Sequence, residues 1–127
     1  MNAKLSAAEL EVMRHVWAAG EPVTCEALRA SLAGEREWKT TTVLTFLSRL
    51  ADKGMLTVTK RGRANLYAPA VTRGQYEGSE TAQFLEEMHG GNVKRMVASL
   101  CEAGRLAPGE LEELQAWLEE QRGGGRG

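Results

Sequence analysis

The sequence predicts a mainly α fold with one small β-hairpin: a winged helix-turn-helix domain over residues 1–73, followed by a three-helix C-terminal region over 74–121. Three observations predict it. Apolar residues recur at helical spacing in six separate segments, two short runs of period-two alternation flank a basic Gly-containing turn, and the charge changes sign near Arg73. At 127 residues and 43% hydrophobic content the chain has room for one or two compact units.

Ser6-Ala7-Ala8-Glu9 has the spacing of a capping box and opens a helix over about 6–19, with Leu10, Met13, Val16 and Trp17 on one side and Gly20 at its end. Glu21-Pro22-Val23 is an extended link. Thr24 caps a second helix, about 24–33, built on Ala27, Leu28 and Leu32 and ended by Gly34. A third helix follows Trp38-Lys39 and runs toward Gly54, with Val43, Phe46, Leu47 and Leu50 on one side.

The opposite side of that helix carries Thr41, Thr45, Ser48 and Asp52, flanked by Arg49. Threonine is a poor helix former, so a merely solvated face would favour other residues. Hydroxyls, methyls and the positive helix terminus suit phosphates and base edges, although a polar solvent-facing side has the same composition.

Met55–Thr59 and Ala64–Ala68 alternate at period two around the turn Lys60-Arg61-Gly62-Arg63, predicting a hairpin with a basic tip. Beyond Gly74 three amphipathic helices are expected. Phe84, Leu85 and Met88 mark the first, Val93, Met96, Val97 and Leu100 the second, and Leu106, Leu111, Leu114 and Leu118 the third. Gly90-Gly91 and Ala103-Gly104 separate them, and Pro108 suits the first turn of the last. Helices this short cannot cover all their apolar faces, so the region is read as a dimerisation element. Residues 122–127 read as a disordered Gly/Arg tail.

The net charge of −1 conceals a balance of +4 over 1–73 and −5 over 74–127, and the segment Arg36–Arg73 alone carries +6. Such a basic patch suits a nucleic-acid backbone, with Lys39, Thr41, Thr42, Thr45, Ser48, Arg49, Lys60, Arg61 and Arg63 as candidate contacts. Catalysis is a poor fit: the chain has one aspartate and two well-separated histidines, and no nucleotide-binding, metalloprotease or serine-hydrolase motif. No enzyme activity, cofactor or metal site is therefore expected. Cys25 and Cys101 read as reduced packing residues, and His15 and His89 as satisfied or exposed side chains without ligand partners. The absence of a long apolar run or signal-peptide pattern points to a cytoplasmic protein without membrane insertion.

Further marks are Leu5-Ser6-x-x-Glu9-Leu10-Glu11-Val12-Met13 with Trp17, Trp38 before Thr42-Val43, and Arg49-Leu50 with Lys53-Gly54-x-Leu56. Gly62-Arg63 with Tyr67 and Pro69, and Glu110-Leu111-Glu112-Glu113-Leu114, complete the set. In this order they resemble the penicillinase repressor family of bacterial winged-helix regulators over about residues 4–121. The resemblance implies a homodimeric repressor on a palindromic double-stranded DNA operator, released in some members when a membrane-bound sensor-protease leads to cleavage. It also implies a link to antibiotic resistance.

The chain departs from the family at three places. Lys39-Thr40-Thr41-Thr42 stands where Ser-Pro-Lys-Thr is common, which leaves the operator sequence open. Ser99-Leu100 occupies the position of the cleaved Asn-Phe bond and is the candidate cleavage bond. The Cys-x-Cys motif of copper-responsive members is missing. The sequence also allows two other readings: a protein-interaction adaptor built on a winged helix, and an effector-gated regulator not controlled by proteolysis.

Overall fold

The computed structural model describes residues 4–124 and contains six helices and one hairpin. Helix α1 (Ala7–Ala19) begins with the reciprocal cap: Glu9 N–H donates to Ser6 Oγ at 3.1 Å and Ser6 N–H to Glu9 Oε1 at 2.9 Å. Gly20 ends it in the left-handed region, φ 72°. Helix α2 (Cys25–Leu32) is capped by Thr24 Oγ1, which accepts from Ala27 N–H at 3.1 Å. Helix α3 spans Thr40–Asp52.

Strands β1 (Leu56–Arg61) and β2 (Ala64–Pro69) pair antiparallel, with Val58 opposite Tyr67 and Arg61 opposite Ala64. Lys60 and Arg61, expected in the turn, are strand residues. Only Gly62 and Arg63 form the loop, because Gly62 at its first central position takes φ 64°, which closes the hairpin in two residues. Val23 adds a rudimentary third strand, exchanging hydrogen bonds of 2.9 and 2.8 Å with Tyr67.

The α1, α2 and α3 stripes and the sheet close on one core. Val12, Met13, Val16, Leu28, Leu32, Val43, Leu47, Leu50, Met55, Leu56 and Tyr67 are buried in it, joined by Tyr76 from the next helix. Trp17 packs at its edge, 6.0 Å from Tyr76 between ring centroids, and its indole N–H donates to Val71 O at 2.9 Å. Glu9 is buried as well. Lys53 Nζ, at the end of α3, meets its Oε1 at 2.6 Å and also donates to Lys4 O. Burial alone would push the Glu9 carboxyl up, but hydrogen bonds from Lys53 and Ser6 together with the lysine charge outweigh it and hold the group below its usual range.

Helices α4 (Arg73–His89), α5 (Val93–Glu102) and α6 (Pro108–Gly124) complete the chain. Thr72 and Gln75 form a second reciprocal cap at the start of α4. The chain divides into two compact units after Glu80, within α4 and not at Arg73, because Tyr76 belongs to the first core. Arg122, Gly123 and Gly124 continue α6 although a disordered tail is expected from 122. A helix already formed can extend through glycine at a cost of about 1 kcal/mol per residue. The rest of that tail, 125–127, lies outside the described residues.

Candidate nucleic-acid interface

Helix α3 is amphipathic in the sense the sequence suggests: Val43, Leu47 and Leu50 are fully buried, while Thr41, Thr45, Ser48, Arg49 and Asp52 are exposed and Thr42 is half-buried. Lys39 precedes the first turn with extended backbone, is exposed, and has no acidic partner among the described residues. The N-terminal N–H groups of α3 have no acidic side chain in the first turn. Thr45 Oγ1 donates to Thr41 O at 3.0 Å, which spends the hydroxyl hydrogen inside the helix. Its methyl group and oxygen lone pairs remain available.

Trp38 is held against the helix by Phe46, 5.0 Å between ring centroids, and by the Arg36 guanidinium 5.4 Å above its ring. It packs rather than presenting a stacking platform. Lys60, Arg61 and Arg63 are exposed on the hairpin.

Ion pairing decides which cations are available. In the first unit Lys4 pairs with Glu80 at 3.9 Å, Arg36 with Glu11 at 2.9 Å, Lys53 with Glu9, Arg73 with Glu77 at 2.8 Å, and Arg29 with Glu26. Three of the eight bases counted in the +6 segment, Arg36, Lys53 and Arg73, are thus already matched by carboxylates outside it, and the patch is smaller than the sequence count. Among the described residues Lys39, Arg49, Lys60, Arg61 and Arg63 have no acidic partner, and in this unit only Arg14 on α1 shares that condition.

The other candidate residues are placed as follows. His15 is satisfied: Nδ1 lies 2.6 Å from Ser31 Oγ and Nε2 3.4 Å from Glu35. His89 is buried, edge-on to Phe84 at 5.7 Å. Cys25 is half-buried, and burial pushes its thiol up, away from the reactive thiolate. Cys101, expected to pack, is exposed on α5 because that helix buries none of its residues. No group of three or more His, Cys, Asp or Glu gathers among the described residues, and none of their helices is long and apolar enough to cross a membrane.

In the second unit α5 and α6 have no buried residue. Phe84, Met88, Val93, Leu100, Leu111 and Leu118 are exposed, and Leu85, Met96, Val97 and Leu114 are half-buried. Trp117, which lies outside the expected set Leu106, Leu111, Leu114 and Leu118, is 53% exposed. Ser99 and Leu100 are both exposed within α5.

The family model described as penicillinase repressor matches residues 5–120. A penicillinase repressor of Bacillus licheniformis is 33% identical over 119 residues, covering 94% of this chain and 92% of that protein. The transcriptional regulator BlaI of Mycobacterium tuberculosis is 31% identical over 123 residues, covering 86% of each. Among solved structures, the monomeric form of Bacillus licheniformis BlaI in complex with the blaP half-operator is 32% identical with a TM-score of 0.51, covering 60% of this chain and 92% of that one. Matched by the family model over residues 5–120 and by a relative 33% identical over 119 residues, the chain belongs to the penicillinase repressor family.

Proposed function

We propose that the protein is a DNA-binding transcriptional repressor that works as a homodimer on a palindromic operator, each protomer seating α3 in a major groove with the hairpin against the neighbouring backbone. One observation carries the reading: five of the six unpaired cations of the first unit lie at the start of α3, on its exposed face and on the hairpin. Cations without acidic partners are the groups that can exchange counterions for phosphates. That a relative with 32% identity forms a complex with a half-operator supports a DNA-binding role.

Dimerisation is assigned to the second unit, where Phe84, Met88, Val93, Leu100, Leu111, Trp117 and Leu118 stay exposed in a single chain. A second copy presenting the same surface covers them with twofold symmetry, and half-sites then fall one or two helical turns apart, about 34–36 Å per turn. Release is assigned to the same half. A cut at Ser99–Leu100 would detach α6 with Leu111, Trp117 and Leu118, and the protomers would lose the gain of two linked half-sites. The bond lies within α5, so a protease must first unwind that helix.

The test is an electrophoretic shift with the DNA upstream of the protein's own coding region, in excess non-specific competitor. A competitor-resistant complex of two protomers is expected, and cleavage between Ser99 and Leu100 should abolish it. Absence of a specific complex at every salt concentration would contradict the reading.

A further inference from the structure

One residue on the exposed side of α3 does not fit a face that only meets phosphates and polar base edges. Leu44 is 41% exposed on that helix. At 100° per residue Leu44 and Thr45 flank the line through Thr41 and Ser48, so the leucine stands beside the hydroxyl row and not on the core side. Its inner edge borders an open cleft also lined by Cys25 at the start of α2 and by Ala64 and Tyr67 of β2.

Next to it, the Thr45 hydroxyl hydrogen is spent on Thr41 O, which leaves the Thr45 methyl and the oxygen lone pairs available. Leu44 and Thr45 therefore form a small apolar step on a helix bounded by the free cations Lys39 and Arg49.

An exposed leucine alone needs no explanation. Here the surface around it is one that DNA would desolvate, and the apolar group displayed in the major groove of B-DNA is the thymine 5-methyl. A leucine placed against a cytosine amine or a guanine carbonyl gains nothing and strips a polar edge of water. We propose that Leu44, with the Thr45 methyl beside it, contacts thymine 5-methyl groups and sets a thymine preference at one or two positions of each half-site. This rests on the DNA-binding reading above and deepens it by naming a specificity element outside the polar residues.

The experiment starts with the full chain selecting duplexes from a randomised library. Each thymine of the selected duplex is then replaced in turn by deoxyuridine, which removes only the 5-methyl, and affinities are measured for the unaltered protein, Leu44→Ala and Leu44→Met. The unaltered protein should lose about fourfold in affinity at one or two positions per half-site, the effect of one buried methyl. Leu44→Ala should be weaker on the thymine duplex and indifferent to deoxyuridine at one of those positions, while Leu44→Met keeps the sensitivity. Circular dichroism checks that both variants are folded.

If no deoxyuridine weakens the unaltered protein, or if Leu44→Ala keeps the full sensitivity, the proposal is overturned while DNA binding stands. If Leu44→Ala weakens thymine and deoxyuridine duplexes equally, Leu44 acts otherwise than through the methyl, and the proposal is again overturned. If no duplex is selected, the DNA-binding reading fails first and takes this one with it.

Discussion

The unpaired cations make salt dependence a quantitative test. Lys39, Arg49, Lys60, Arg61 and Arg63 lack acidic partners among the described residues, so each can neutralise one phosphate. With about 0.9 counterions released per phosphate, five contacts give a slope of about −4.5 for log Kobs against log salt at one half-site, and about −9 for a dimer on two. Between about 50 and 200 mM salt one half-site should then weaken roughly 500-fold.

Two substitutions separate the free cations from the paired ones. Arg63→Ala should flatten the slope by about 0.9 per protomer and weaken binding at all sequences. Arg36→Ala removes a guanidinium already held by Glu11 at 2.9 Å, and should leave the slope where it was. Fluorescence anisotropy of a labelled duplex over that salt range reads both. A dimer slope shallower than about −3, or equal flattening by the two variants, would refute the assignment of phosphate contacts by ion-pair status.

Other outcomes follow from the packing. Lys53→Met leaves the buried Glu9 carboxylate without its cation and should cost about 3 kcal/mol at neutral pH in urea melts. Because the folded Glu9 titrates below its usual value, its contribution is present above the ordinary carboxylate range and fades as pH falls through the lowered value. The gap between the two proteins should therefore narrow in acid, and a gap independent of pH would assign the loss to packing instead. Trp117→Glu places a charge among the exposed apolar side chains of α6 and should shift the protein to single protomers in sedimentation velocity at micromolar concentration; an unchanged dimer would move the interface elsewhere.

The features legible in the sequence were those carried by local signals. Ser6 and Glu9 are three residues apart, so their reciprocal cap can be read directly, and the helical stripes and alternating strands announce themselves by period. What could not be read depends on separation in the chain. Glu9 meets Lys53 across 44 residues, and the same kind of distant pairing, Arg36 with Glu11, shrinks the basic patch that a count of charges makes too large. Val23 pairs with Tyr67 through one residue, too short for any periodicity.

Residue type also misled in particular places. Lys60 and Arg61 look like turn residues because they are charged, yet both faces of a short exposed hairpin accept charge and the reversal needs only Gly62 and Arg63. Polarity does not single out Leu44, an apolar residue that nevertheless shares the exposed side of α3. The change of charge at Arg73 marks a composition shift, whereas the physical division falls after Glu80 because Tyr76 is anchored in the first core.

The central claim is that the α3 face and the hairpin together grip operator DNA. It is tested most directly by measuring operator affinity of the folded Arg49→Ala/Arg63→Ala double variant against the unaltered protein at one moderate salt concentration. Both side chains are exposed and have no acidic partner among the described residues, so the fold should survive while specific binding falls by at least about 100-fold, as expected for two lost charge contacts per protomer. A folded double variant that binds the operator as tightly as the unaltered protein would contradict the account.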